Sequence, residues 1–197
     1  RKTQTRSATA PPVRWDVAMT ATAAPTALPP RPELTDGVAL LRRPVEADVP
    51  AIVAAVRDPL VVHFTRVPTE SRTAVFGVCD AADPATLLGM VGLHDIDLTG
   101  DPGGVAEVGY WMSPAGRGRG LMTRAVHLIS TWGVDALGLT RITWYAVAGN
   151  DASRHVAEAN GYVVEGLLRR GESRRGERLD HWVGGLLAED LPRTDVR

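Results

Sequence analysis

The run Arg117-Gly118-Arg119-Gly120, followed at once by Leu121-Met122-Thr123, is where this sequence points most directly to chemistry. Leu121, Ala125, Leu128, Ile129 and Trp132 recur at helical spacing, so a helix is predicted to begin where the glycine run ends. A helix start leaves several N–H groups without intrahelical partners and carries the positive end of the helix dipole. Glycines just before it let a ligand come close to the backbone. Together these features make a seat for phosphate or pyrophosphate, and Arg117 and Arg119 add cationic donors suited to it. The competing reading is a plain helix-entry turn with two solvated arginines.

Other phosphate-binding patterns do not fit. A P-loop needs Lys followed by Ser or Thr after its second glycine, and Lys2 is the only lysine of the chain. A dinucleotide fold needs G-x-G-x-x-G straight after a buried strand. Here the spacing is G-x-G-x-G, and the strand before it carries Glu107 and ends in Ser113-Pro114-Ala115. The five histidines show no metal-ligand spacing. The single cysteine, Cys79, excludes an intrachain disulfide and a cysteine-based zinc site; it closes an apolar run with Val75, Phe76 and Val78 and reads as core. No Ser-His-Asp or Cys-His signal of nucleophilic catalysis is present. With 22 basic and 23 acidic residues the net charge is −1, which gives no global reason to expect nucleic acid or an anionic membrane as partner. One Gly-Arg run without interleaved aromatics argues the same way against nucleic acid. Nothing approaches the roughly 18 unbroken apolar residues of a membrane span.

The elements that must position this segment follow from periodicity. Residues 1–36 are Pro-rich with apolar residues scattered singly, and read as a disordered leader; a transit peptide and a start at Met19 are the alternatives. From Gly37 the pattern is regular. A strand is predicted over 38–43, then a helix over 46–56 with Val49, Ile52, Val53 and Val56 on one face, stopped at Asp58-Pro59. Strands over 73–78, 87–98 and 105–112 follow, joined by short loops. The helix from Leu121 ends at Gly133 and Gly138. After it come a strand over 141–147, a short helix over 151–159 and strands over 162–168 and 179–187 flanking a polar hairpin. The order β-α-β-β-β-α-β-α-β-β predicts one mixed α/β domain over 37–191, its sheet mainly antiparallel and flanked by helices, with a tail at 192–197.

Arg117-Gly-Arg-Gly-Leu-Met122 resembles the Gln/Arg-x-x-Gly-x-Gly/Ala signature of the GNAT superfamily of N-acetyltransferases, with Met122 in place of the final small residue. Ala106-Glu-Val-Gly-Tyr-Trp111 is similar to the strand before that signature in the branch of the ribosomal-protein alanine N-acetyltransferases. Asn150-Asp-Ala-Ser153 resembles the Asn-x-x-Ser of the later helix, and Asn160-Gly-Tyr162 the turn after it. Leu87-Leu-Gly-Met-Val-Gly-Leu93 resembles the glycine-containing strand of the central meander, and Asp180 with 186–190 the closing strand. The resemblance covers about residues 37–191.

The resemblance implies acetyl-CoA as co-substrate. Backbone amides from Gly118 to Thr123, through Arg119, Gly120, Leu121 and Met122, hold the pyrophosphate, and an amide near Trp111 or Met112 polarises the thioester carbonyl. The amine attacks directly, without a covalent enzyme intermediate. Glu107 is the first candidate base, acting through water, and His94 the second. Ser153 protonates the leaving thiolate and Asn150 binds the pantetheine amide; capping of the short helix by Asn150 or Asp151 is the plainer reading of the pair. Tyr110 and Tyr162 are further proton donors, or packing residues. The arginines of the hairpin (169, 170, 174, 175 and 178) read as solvated, or as a docking surface for an acidic partner. The favoured acceptor is a protein N-terminal α-amine, with a small-molecule amine next and a non-catalytic acyl-CoA-binding module as the rival. One departure from the family is expected: between Phe64 and Thr73 there is no room for its usual second helix. The protein is expected in the cytoplasm, as monomer or homodimer.

Overall fold

A computed structural model of the chain describes residues 28, 30–55, 57–64, 72–174 and 176–192. Its strands are β1 (Leu34–Thr35), β2 (Ala39–Arg42), β3 (Ala74–Asp80), β4 (Gly89–Asp97), β5 (Gly104–Met112), β6 (Leu139–Val147), β7 (Val163–Arg174) and β8 (Glu177–Leu187). Its helices are α1 (Val49–Ala55), α2 (Pro59–Phe64), α3 (Leu121–Leu137) and α4 (Asp151–Glu158). The strands form one sheet in the order β1-β2-β3-β4-β5-β6-β8-β7. This is the mixed, largely antiparallel architecture expected from the sequence.

Strand side chains alternate between faces. Phe76, Val91, Leu93, Val108, Ile142 and Leu186 fall on one face and join the apolar stripe of α3 in a single core. Phe76 meets Trp132 edge-on, with ring centroids 5.6 Å apart. Cys79 lies in β3 fully buried, and burial pushes its thiol up, so it is the core residue its apolar neighbours imply.

Chain connectivity dictates the one parallel pairing among the described strands. Short loops keep β3, β4 and β5 antiparallel, the longer segment carrying α1 and α2 returns the chain antiparallel from β2 to β3, and α3 carries it back so that β6 runs parallel to β5. The parallel pair holds only from Gly104–Leu139 to Val108–Trp144. Beyond it β5 stays with β4 and β6 stays with β8, so Gly109–Met112 and Tyr145–Val147 diverge without pairing to each other.

Several sequence expectations are corrected here. Leu34–Thr35, at the end of the segment read as a leader, pairs with β2, and Leu28 and Leu34 pack on the core; residues 1–27 and 29 lie outside the described residues. In α1, Val49 and Val53 of the expected apolar face are exposed, Ile52 is half-buried and Ala55 is buried, while position 56 lies outside the described residues. Pro59 does not simply end a helix. It opens α2, six residues in a stretch left without an element, because Pro is tolerated in a first helical turn and Asp58 caps it. Gly133 does not end α3. A Cβ there would come within 2.9 Å of Leu93 Cδ1, so the glycine lets the helix lie close on the sheet, and the stop is Gly138. The 169–178 hairpin is strand to Arg174 and again from Glu177.

Candidate active site

The divergence of β5 from β6 opens a cleft of about 1530 Å³. One end reaches the start of α3, where Gly118 and Gly120 hold φ values of 71° and 70°. That left-handed conformation strains other L-residues. No atom lies within 4 Å of where a Cβ would sit on either glycine, so the backbone there faces open space. Gly120 is the N-cap of α3 and supplies no side-chain cap. The first-turn amides of Leu121, Met122 and Thr123 are thus left for an anion at the cleft, where the helix dipole favours negative charge by up to ~2 kcal/mol.

The two arginines beside these amides behave differently from a simple phosphate clamp. Arg119 points to Asp80 as an ion pair and does not line the cleft. Arg117 lines it, but its Nε donates to Met112 O at 3.2 Å and its Nη2 to Asp58 Oδ1 at 2.8 Å.

Further along, the period of two sends neighbouring β5 side chains to opposite faces. Tyr110 points toward α4, where its hydroxyl donates to Ser153 O at 2.9 Å and accepts from Ser153 Oγ at 3.1 Å. Trp144 Nε1 donates to the same Oγ at 3.1 Å. Burial pushes the Tyr110 phenol up to about 12, so it stays a neutral donor near neutral pH. Asn150 Oδ1 accepts Ser153 N–H at 3.2 Å, so Asn150 is the cap of α4 and also lines the cleft. Tyr162 is set apart: it is buried and bonded to Ser130 at 3.0 Å, outside the cleft lining.

Glu107 and Trp111 occupy the other face of β5. Glu107 stands directly across from His94 of β4. The His94 ring lies on a shelf made by the cross-strand glycine pair Gly92 and Gly109: a Cβ on either would come within 2.9 Å or 3.1 Å of it. The two candidate bases are therefore neighbours rather than rivals in separate places. Leu60 and Val61 of α2 also line the cleft.

The far wall comes from residues for which no catalytic or cofactor role was expected; Arg174, expected to be solvated or part of a docking surface with its hairpin neighbours, is half-buried and belongs to this wall. Tyr145 stacks on His181 with centroids 6.5 Å apart, and Glu172 lies 3.5 Å from Arg174 and 3.8 Å from His181. All four line the cleft. Tyr145 and His181 lie in strands legible from the sequence, but the polar run after Leu168 carries no alternation that would place Glu172 and Arg174. Arg169, Arg170 and Arg178 are exposed, and position 175 lies outside the described residues. Among the described residues no group of three or more His, Cys, Asp or Glu could hold a metal ion, and no helix is long and apolar enough to cross a membrane.

Known proteins resemble this chain in sequence or in fold. YdaF of Bacillus subtilis, provisionally named a ribosomal N-acetyltransferase, is 36% identical over 86 residues, 44% of this chain and 45% of that protein. The chain thus spans about half the length of that curated relative. RimJ of Mycobacterium smegmatis, solved in complex with CoA-disulfide, has a TM-score of 0.67 at 22% identity, covering 83% of this chain and 89% of that one. The ribosomal-protein-S5-alanine acetyltransferase of Vibrio fischeri has a TM-score of 0.69 at 19% identity, over 83% and 100% of the two chains. The model of the acetyltransferase (GNAT) domain matches residues 39–163, from β2 to the start of β7 and across the whole seat at α3, and the chain belongs to that family.

Proposed function

We propose that the protein transfers an acetyl group from acetyl-CoA to a primary amine, with the α-amine of a protein N-terminus as the favoured acceptor. One observation carries this reading: the uncapped start of α3 stands at the end of a cleft that follows the divergence of β5 from β6. The residues suit the co-substrate. First-turn amides and open left-handed glycines match phosphates, and Gly109–Met112 of β5, paired to β4 but without a partner on the β6 side, offers backbone groups to an extended amide-bearing arm.

Bound acetyl-CoA supplies an acyl group already activated as a thioester. The chain's residues do the rest. Amides of Gly118 to Thr123 hold the pyrophosphate, and an amide near Trp111 or Met112 stabilises negative charge on the carbonyl oxygen. Asn150 contacts the pantetheine arm. Glu107, with His94 beside it, takes the proton that the attacking nitrogen sheds, through water. As the C–N bond forms and the C–S bond breaks, the Ser153 hydroxyl turns from Tyr110 to give its proton to the sulfur and regains one from water in the cleft, while Trp144 donates to its oxygen and holds it in place. An α-amine, with pKa near ~8, asks less of the base than a lysine amine near ~10. The names of YdaF, as a ribosomal N-acetyltransferase, and of the S5-alanine acetyltransferase favour a protein acceptor over a small molecule.

The working unit is the domain over 37–191, extended by β1, acting in the cytoplasm as monomer or homodimer. Calorimetric titration of acetyl-CoA into the full chain, with Gly120→Glu as control, tests the donor, and turnover of N-terminal peptides against polyamines tests the acceptor. Binding that the control abolishes, with peptide turnover, supports the reading. Binding without turnover of any amine favours a non-catalytic acyl-CoA-binding module, and no binding overturns the reading.

A further inference from the structure

Asp58 joins two parts of the cleft that are distant in sequence. It is the residue before α2, and its Oδ1 accepts the N–H groups of Leu60 at 3.0 Å and Val61 at 3.1 Å. The same oxygen accepts Arg117 Nη2 at 2.8 Å. Arg117 in turn reaches back through Nε to Met112 O, the last carbonyl of β5. A chain of hydrogen bonds therefore runs from the helix that walls one side of the cleft to the end of the strand that forms its floor. The Arg117 hydrogen bond, with the two amides, holds the Asp58 carboxyl below its ordinary range.

The position of α2 depends on ties of this kind. Leu60 is half exposed, and Val61, though buried, lies outside the main core cluster. The Asp58 side chain is 15% exposed and that of Arg117 35%, so solvent screens the charge of the pair and the tie rests on its hydrogen-bond geometry. An arginine whose Nε and Nη2 are directed to Met112 O and Asp58 must give up part of this chain to turn toward a phosphate.

We propose that Asp58 and Arg117 are positioning residues for the acceptor: their ion pair fixes α2 against the end of β5 and sets the acceptor side of the cleft, and Arg117 serves this strut rather than the phosphates. The acceptor half of the proposal rests on the acetyltransferase reading; the strut itself rests on the geometry alone. Misplacement of a wall by ~1 Å is enough to cost a reaction up to about 100-fold, so a tether far from the reacting atoms can control acceptor use.

The variants are Asp58→Asn, which keeps an oxygen to cap α2 but removes the charge, Arg117→Gln, and Arg117→Lys as the conservative rescue. Two readouts are taken on the full chain. Amide hydrogen exchange over 59–64, without ligand, is expected to quicken about tenfold in Asp58→Asn and Arg117→Gln and to recover in part in Arg117→Lys. Steady-state kinetics with an N-terminal peptide are expected to show acceptor KM raised about fivefold, with kcat and the acetyl-CoA Kd within about twofold of wild type. Unchanged exchange overturns the strut. An acetyl-CoA Kd weakened about tenfold with acceptor KM unmoved makes Arg117 a phosphate ligand and also overturns it. A wild-type chain that binds acetyl-CoA but acetylates no amine overturns the acceptor role together with the acetyltransferase reading, while the exchange result still decides the strut.

Discussion

The indole nitrogen of Trp144 lies 3.1 Å from Ser153 Oγ, so a core tryptophan on β6 orients a hydroxyl in the first turn of α4. If Ser153 protonates the thiolate, Ser153→Ala should lower kcat about 100-fold and leave the acetyl-CoA Kd nearly unchanged. Trp144→Phe should lower kcat about tenfold by freeing the hydroxyl, at a cost in stability that a thermal melt reports separately. Tyr110→Phe should act on kcat in the same direction, and no inflection from the Tyr110 phenol should appear near neutral pH. Equal kcat for all three variants and wild type would remove Ser153 from the chemistry.

Glu107→Gln should depress turnover most at low pH. Below the acceptor's pKa, near ~8 for an α-amine, nearly every amine arrives protonated and a base is needed to free it. Above that pKa the amine is already neutral, so the defect should shrink from about 100-fold to a few-fold. Because His94 stands directly across from Glu107, His94→Gln should show a smaller defect of the same shape. A pH series of kcat/KM with a defect equal at all pH values would take both residues out of the proton path.

Gly120→Ala and Gly120→Glu separate backbone strain from charge. Alanine meets no neighbour at that position and should cost only the left-handed conformation, about 1–2 kcal/mol. Glutamate adds a carboxylate beside the phosphate seat, and acetyl-CoA affinity should fall about 100-fold beyond the alanine variant. Calorimetry on both variants tells a seat for anions from a merely flexible turn.

Away from the cleft, Asp48 is 3% exposed and grips Arg42 through two hydrogen bonds of 2.7 Å. Arg42's hydrogen bond, aided by the Val45 N–H, holds the Asp48 carboxyl below its ordinary 3.8. A carboxyl lowered in the folded state stabilises fully above its unfolded value, and that contribution fades as pH falls through the folded value. Asp48→Ala should therefore cost about 3 kcal/mol at neutral pH, and its gap to wild type should begin to narrow below about pH 4 and go on narrowing as pH falls through the lowered folded value. Denaturant melts at neutral and acid pH check both parts.

What could be read from sequence is what local chemistry decides. The seat at α3 needs only glycines, a helical stripe and the absence of a cap, all contiguous between Arg117 and Trp132. Asn150 and Ser153 were legible for the same reason, as a helix cap and its partner. Features that depend on what lies opposite were not. Asp58-Pro59 both ends α1 and begins α2, and a one-dimensional pattern registers only the stop. Gly133 carries the composition of a helix end, yet its lack of a side chain answers to Leu93 and Leu139 across the interface. The aromatic and charged wall from Tyr145, Glu172, Arg174 and His181 exists because β7 and β8 continue through a polar hairpin, where composition argues for loop.

The parting of β5 and β6 gives the sheet a passage rather than a pit, with α3 and α4 on one side and Glu107, His94 and α2 on the other. In the proposed reaction the phosphate seat at α3 and the candidate bases Glu107 and His94 belong to different elements of the one cleft, so donor and acceptor are expected to be resident together before any bond changes. Initial-rate lines at fixed levels of one reactant should then intersect rather than run parallel, and a dead-end analogue of the peptide should compete with the peptide alone.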